Sequence, residues 1–190
     1  MTSSIPEILP EMHAPRRVMD CDKCELCTHG SRIIWAEGYS DAPLFVILDN
    51  PGAREDKSGQ PFLCGTRQTM LTSAYEAGIL PEQMYVTYIL KRRPLRKYDK
   101  PKARRICMGY LWEQLDEVNP RLLLILGNTA IQSFLRDTDV EVKNLRGIVH
   151  QFGKYQAVVS YHPLAVRRRP NLKKNFMTDL DLASSFINNY

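Results

Sequence analysis

The segment PLFVILDNPG, at residues 43–52, joins a short apolar run to a turn made of Asp, Asn, Pro and Gly. A run of this length, bounded by turn residues, is typical of a strand that is buried on both faces. Three similar runs lie at residues 85–91, 122–127 and 157–161, and a weaker candidate lies at residues 32–37. The sequence therefore predicts four buried strands and one doubtful strand.

Helical patterns separate these strands, at residues 66–77, 103–118, 129–135 and 172–187. Strands that alternate with helices form βαβ crossovers, which place the strands in parallel and the helices on both faces of the sheet. We predict a three-layer α/β/α fold with a central, mainly parallel four-stranded sheet. Residues 21–190 are expected to form one domain, preceded by an N-terminal arm at residues 1–20.

The composition is that of a globular protein, with 44% hydrophobic and 25% charged residues in a chain of 190. No apolar run approaches the roughly 20 residues that cross a bilayer, and the first residues do not resemble a signal peptide. We expect a cytoplasmic monomer that does not bind membranes. Thiols stay reduced in the cytosol, so clustered cysteines there favour metal binding over disulfides.

Positive charge is concentrated in two places. Residues 91–105 hold nine basic residues and one acid, residues 167–169 are three arginines, and the net charge is +5. Such runs are often merely solvated, but two patches in an otherwise balanced chain favour contacts with the phosphates of an anionic partner. The candidate phosphate-binding residues, which the resemblance described below makes candidate DNA-binding residues, are Lys91, Arg93, Arg96, Lys97, Arg167 and Arg168.

Polar or turn-forming residues follow each of the four predicted strands. They are Asp49-Asn50, Arg92-Arg93-Pro94, Gly127-Asn128 and His162-Pro163. Ligands of open α/β sheets bind beyond the carboxyl ends of the strands. These four segments therefore predict one site at that edge.

Several motifs together resemble the family 4 uracil-DNA glycosylases. The resemblance rests on the pattern Pro51-Gly52-x-x-Glu55-Asp56-x-x-Gly59-x-Pro61-Phe62, on Leu126-Gly127-Asn128-Thr129-Ala130, on Tyr161-His162-Pro163, and on Cys21-x-x-Cys24 with the isolated Cys107. It extends from about residue 21 to residue 180. It implies an enzyme that flips a base out of DNA and hydrolyses the N-glycosidic bond in base excision repair.

The resemblance also assigns roles to single residues. His162 would donate a hydrogen bond to a base carbonyl, Phe62 would stack on the flipped base, and Gly52 would border the pocket. Asp49 stands where the family has a glutamate. Asn50 is similar to the asparagine that orients the attacking water in the mismatch-specific and single-strand-selective branches. We therefore expect Asn50 to position water and Asp49 to act electrostatically.

Tyr88 departs from the family pattern, since a pocket asparagine usually stands there. A phenol has one hydroxyl and more bulk than an amide, so two interpretations are open. The protein acts on uracil or another modified base, or it is a non-catalytic DNA-binding protein with an altered pocket.

The cysteines depart from the pattern as well. Arg92 occupies the position of the family's third cluster cysteine, while Cys27 extends the N-terminal set to Cys-x2-Cys-x2-Cys. We expect a 4Fe-4S cluster on Cys21, Cys24, Cys27 and Cys107, with zinc as the alternative. Cys64 is expected to be a packing residue.

Overall fold

The computed structural model describes residues 9–53 and 65–189. These residues form a seven-stranded sheet in the order β1-β2-β4-β3-β5-β7-β6. The strands are β1 (Glu11–Met12), β2 (Ala36–Gly38), β3 (Leu44–Leu48), β4 (Met84–Tyr88), β5 (Leu122–Leu126), β6 (Val149–Phe152) and β7 (Tyr155–Ser160).

Strands β4, β3, β5 and β7 run parallel and correspond to the four predicted strands. The mainly parallel sheet is therefore confirmed, but the predicted number of four strands was too low. Strand β2 overlaps the end of the weaker candidate at residues 32–37, whereas β1 and β6 were not predicted. All three strands are short and pair antiparallel at the two edges. An edge strand such as β6 is only partly buried, so it lacks the apolar run that identifies a central strand.

The described helices are α1 (Arg16–Met19), α2 (Thr66–Glu76), α3 (Lys100–Val118), α4 (Asn128–Leu135), α5 (Val142–Leu145), α6 (Pro163–Arg168) and α7 (Lys173–Asn188). Three 3₁₀ turns lie at Glu25–His29, Pro81–Gln83 and Pro170–Leu172. Helix α3 begins three residues before the prediction because Asp99 caps it: the side chain accepts a hydrogen bond from the Lys102 amide.

The two faces of the sheet bury separate hydrophobic cores. On β3, Leu44, Val46 and Leu48 point to one core, and Phe45 and Ile47 point to the other. Helices α2, α6 and α7 cover the first face, whereas α1, α3, α4 and α5 cover the second. The three-layer arrangement is therefore confirmed.

Residues 9–20 pack against this sheet. Strand β1 pairs with β2, and Val18 of α1 lies in the second core with 1% of its surface exposed. The division into an arm and a single domain stays a prediction. Among the described helices, none is both long and apolar enough to span a membrane.

Candidate active site and cysteine cavity

The carboxyl ends of the parallel strands open into a cavity of about 440 Å³. Five of the predicted catalytic and base-binding residues line it, namely Asp49, Asn50, Gly52, Tyr88 and His162. The sixth, Phe62, lies outside the described residues. The cavity is also lined by Arg67 and by Arg167. The structure thus brings the strand-end residues into one site.

Asp49 and His162 contact each other across this cavity. The Nε2 atom of His162 lies 3.2 Å from Oδ1 of Asp49. The other ring nitrogen, Nδ1, accepts a hydrogen bond from the backbone amide of Leu164 at 3.2 Å. Because Nδ1 is the acceptor, a neutral imidazole carries its proton on Nε2, which faces Asp49.

The carboxyl group of Asp49 is held in its ionised form. Burial by itself would raise its pKa, but the hydrogen bond and electrostatic attraction from His162 and the backbone amides of Asn50 and Asp49 outweigh burial and lower it. The Asn50 amide donates to Oδ1 at 2.8 Å. A negative charge therefore stands in the pocket at neutral pH.

Asn50 also faces the cavity, although neighbouring residues of a strand point to opposite sides. Both residues can do so because β3 ends at Leu48, so Asp49 and Asn50 lie in the turn that follows. The Nδ2 atom of Asn50 donates to the carbonyl of Pro51 at 2.9 Å. This bond orients the amide and leaves its Oδ1 as an acceptor.

Gly127 lets His162 approach the end of β5. A Cβ atom added to Gly127 would lie 2.9 Å from Cβ of His162, and the φ angle of +96° is one that other residues rarely adopt. The Gly127 amide also donates to the carbonyl of Ser160 at 2.9 Å. The position therefore requires glycine for contact and for conformation.

For the base-release reaction that the sequence resemblance implies, Gly127→Ala is expected to displace His162 and to lower kcat about 100-fold, since misplacement of a reacting group by about 1 Å costs that much. The measurement is single-turnover base release. Gly153→Ala is the matched control, because Gly153 also has a positive φ, of +59°, but an added Cβ meets nothing within 4 Å. Equal kcat losses in the two variants would contradict the prediction.

The lowered pKa of Asp49 predicts a pH dependence of stability. A carboxyl whose pKa falls on folding stabilises the native state above its unfolded pKa, and this contribution disappears as the pH falls through the folded value. For Asp49 the folded value lies below 3.8. The stability that the Asp49 carboxylate adds relative to Asp49→Asn should therefore still be present at pH 5 and shrink below pH 4. Urea titrations check this, and a decline that is complete by pH 5 would refute it.

Arg67, at the start of α2, was not predicted as a site residue. Its side chain is 14% exposed and forms an ion pair with Glu37 of β2, which is 3% exposed. The sequence showed only one arginine in a helical pattern. A buried glutamate in a weak strand, Glu37, was the available signal that a cation had to lie nearby.

A second cavity contains the four predicted ligands. Cys21, Cys24, Cys27 and Cys107 all line it, together with Arg92. The cysteines are free thiols, and Cys107 is buried. Within the described residues, no three Cys, His, Asp or Glu side chains are grouped closely enough to share a single metal ion.

Burial affects these thiols directly. It raises the pKa of the Cys107 thiol, although the backbone amide and the charge of Lys91 act in the opposite direction. Burial likewise raises the pKa of Cys24. Buried thiols that resist ionisation are inert until a positive centre displaces their protons.

Lys91 does not belong to the surface patch in which the sequence placed it. It is 2% exposed, and its Nζ donates to Oγ1 of Thr87 at 2.7 Å, the carbonyl of Tyr88 at 2.8 Å and Oε1 of Gln114 at 2.5 Å. Burial lowers its pKa to about 7. A DNA phosphate does not reach this ammonium group, because it points between the sheet and α3.

The other predicted DNA-binding residues lie at or near the surface. Arg96 and Lys97 are exposed and Arg93 is half-buried, in the segment after β4. Arg96 donates to the carbonyl of Thr28 at 2.7 Å. Arg167 and Arg168 are exposed on α6. Both groups follow parallel strands and so lie at the carboxyl edge of the sheet.

Comparison with known proteins agrees with this geometry. Residues 36–181 match the model of the uracil DNA glycosylase superfamily. The chain is 29% identical over 175 residues to a type-4 uracil-DNA glycosylase of Thermotoga maritima, covering 90% of this chain and 91% of that protein. It is 30% identical over 172 residues to the type-4 enzyme of Archaeoglobus fulgidus, with 86% of each chain covered. It is also 30% identical over 168 residues to that of Sulfurisphaera tokodaii, covering 83% of this chain and 76% of that protein. This chain belongs to the uracil DNA glycosylase superfamily.

Proposed function

We propose that the protein is a DNA glycosylase that hydrolyses the N-glycosidic bond of uracil or a related base during base excision repair. The observation that carries the proposal is the ionised Asp49 carboxylate beside the Nε2–H of His162 in the strand-end cavity. The family membership and the type-4 relatives support the same activity.

The two groups match the charges that develop as the bond breaks. The sugar becomes oxocarbenium-like and the departing base becomes negative, so catalysis needs an anion near the sugar and a donor near a base oxygen. Asp49 supplies the negative charge. His162 donates from Nε2 to a base carbonyl when the base enters the cavity.

Water completes the reaction by adding to the sugar carbon, while the base leaves with its bonding electrons and takes up a proton. We assign the orientation of this water to Asn50, which lines the same cavity. An amide can hold water but cannot accept its proton, whereas the neighbouring Asp49 carboxylate can. The division of roles between the two residues follows from this difference.

DNA is the proposed partner, with one nucleotide flipped into the cavity and the protein acting as a monomer. Arginine binds phosphate well because its planar fork donates two parallel hydrogen bonds. Arg93, Arg96 and Lys97 would contact phosphates on one side of the flipped base, and Arg167 and Arg168 on the other. Binding through such contacts weakens as salt rises.

We also propose that Cys21, Cys24, Cys27 and Cys107 hold a 4Fe-4S cluster. A cubane gives each of its four irons one thiolate, so its ligands stand farther apart than the ligands of one zinc ion. Four thiols around one cavity fit that requirement. Such a cluster would crosslink residues 21–27 to α3, which carries Cys107. Zinc remains the alternative occupant.

The activity test uses the purified full-length protein and oligonucleotides that contain one uracil, in single- and double-stranded form. Base release is revealed by alkaline cleavage of the abasic site. We expect cleavage by the wild type and its loss in His162→Ala. If no cleavage occurs with uracil, hydroxymethyluracil, hypoxanthine or xanthine, while DNA binding persists in both proteins, the non-catalytic interpretation replaces this one.

A further inference from the structure

We propose that Arg67 is a specificity-determining residue that, with Tyr88, reads the lactam edge of the flipped base, the ring N–H beside a carbonyl. The substrate class is therefore bases with that edge, such as uracil and hypoxanthine, and bases with an amino group at that position are rejected. This inference rests on the proposed glycosylase function and adds the group that recognises the base.

Arg67 is a nearly buried cation in the wall of the strand-end cavity. It lies in the first turn of α2 and lines the same cavity as Asp49, Tyr88 and His162. Only 14% of its side chain is exposed, and burial lowers the pKa of its guanidinium. A cation that loses so much hydration is retained where the groups around it compensate the charge.

Glu37 anchors the guanidinium from behind. Glu37 belongs to β2 and does not line the cavity, so its carboxylate approaches Arg67 from within the sheet. A second ion pair joins Arg32 and Glu11. The charge of Glu11 raises the pKa of the Arg67 guanidinium, and the charge of Arg32 lowers it. A carboxylate edge engages at most two of the five guanidinium N–H groups, so donors remain for a ligand in the cavity.

The chemistry of the guanidinium sets the selectivity. Arginine donates hydrogen bonds and accepts none. A base carbonyl oxygen accepts a hydrogen bond from such a donor. The amino group of cytosine or adenine is itself a donor, so two donors would face each other in a buried site. Sites of this kind reject the mismatched analogue strongly, because buried polar groups are then left unpaired.

Tyr88 supplies the complementary group. It follows Thr87 at the end of β4 and lines the same cavity as Arg67. A phenol oxygen has lone pairs that accept a ring N–H even when its own hydrogen is donated elsewhere. Together the arginine and the phenol offer one donor and one acceptor, the same pair of functions that an amide presents in a single side chain.

The test compares two single-stranded substrates with full-length protein. One contains uracil, and the other contains pyrimidin-2-one, which lacks both the carbonyl and the N–H of the lactam edge. The variant is Glu37→Met/Arg67→Met, which removes the buried ion pair without leaving one charge behind. Arg17→Met/Glu113→Met removes an exposed Arg–Glu pair whose members do not line the cavity, and it is the matched control.

We expect the Glu37/Arg67 variant to lose about 100-fold or more in kcat/KM on uracil and to change by less than about 3-fold on pyrimidin-2-one. The control should keep the wild-type preference. An equal loss on both substrates, or no loss on uracil, would overturn the inference. The kcat/KM of the conservative variant Arg67→Lys on uracil should lie between those of wild type and the double variant. On pyrimidin-2-one all three proteins should be similar.

Failure of the proposed function gives a different result. If wild type cleaves neither of these substrates, nor DNA with hydroxymethyluracil, hypoxanthine or xanthine, glycosylase activity is refuted, and equilibrium binding of the same two oligonucleotides decides the inference. A wild-type preference for uracil DNA that the Glu37/Arg67 variant loses would support recognition by Arg67. Equal affinities of wild type for the two oligonucleotides would overturn it.

Discussion

Asp49→Asn is expected to lower kcat for uracil release about 1,000-fold, which is roughly 4 kcal/mol of transition-state stabilisation. The hydrogen bonds from His162 and from the Asn50 amide both end on Oδ1 of this carboxylate. An asparagine carbonyl oxygen can accept both of them. The substitution therefore preserves the geometry and removes the negative charge that stabilises the oxocarbenium ion.

The measurement is single-turnover base release at pH 7, accompanied by DNA affinity. Asp41→Asn is the control: Asp41 is an exposed carboxylate at the opposite end of β3, so its removal changes the net charge equally. We expect kcat near the wild-type value in the control and an unchanged DNA affinity in both variants. A loss below 10-fold in Asp49→Asn would show that the carboxylate is not the main electrostatic group.

The sequence was sufficient to predict the central sheet because its strands are buried on both faces. Residues 44–48 form an uninterrupted apolar run that no surface element would carry. The same reasoning missed β1 and β6, since short and half-exposed edge strands leave little hydrophobic signal. Their pairing depends on the neighbouring strand, and a single sequence does not show which strand that is.

The candidate site was predictable to the extent that its residues follow the strands. Asp49 and Asn50 directly follow β3, and His162 lies two residues after β7, so the parallel sheet brings them together. Arg67 could not be found in this way, because it enters the cavity from the first turn of a helix. Its position depends on the pairing with Glu37, which lies 30 residues earlier.

The prediction that Lys91 lies on the surface was wrong, because the residue is buried. It belongs to a run of basic residues, and such a run predicts a surface patch. Three acceptors, among them Oε1 of Gln114 on α3, instead hold its ammonium in the interior. Composition could not distinguish Lys91 from Arg96, because the burial of a side chain depends on whether it points toward the interior or toward solvent.

The cysteine set leads to the prediction with the second large effect. If Cys27 replaces the ligand that Arg92 does not supply, Cys27→Ser should reduce iron from about four atoms per protein to a small fraction, because a cubane needs a thiolate on each iron. Iron and sulfide are measured after anaerobic purification, with the visible absorbance spectrum. Cys64→Ser, at a cysteine that is predicted not to be a ligand and lies outside the described residues, should keep the iron content of wild type.

Arg92 makes a stricter test possible, since it lines the same cavity as the four thiols. Its guanidinium donates to the Ser31 carbonyl, a contact that a cysteine would release while placing a thiol on the cavity wall. Arg92→Cys added to Cys27→Ser should therefore restore the iron that the single variant loses. Restoration would show that the two positions supply the same ligand. If wild-type protein is colourless and contains stoichiometric zinc, the site binds zinc and not a cluster. If Cys27→Ser retains all of its iron, Cys27 is not a ligand.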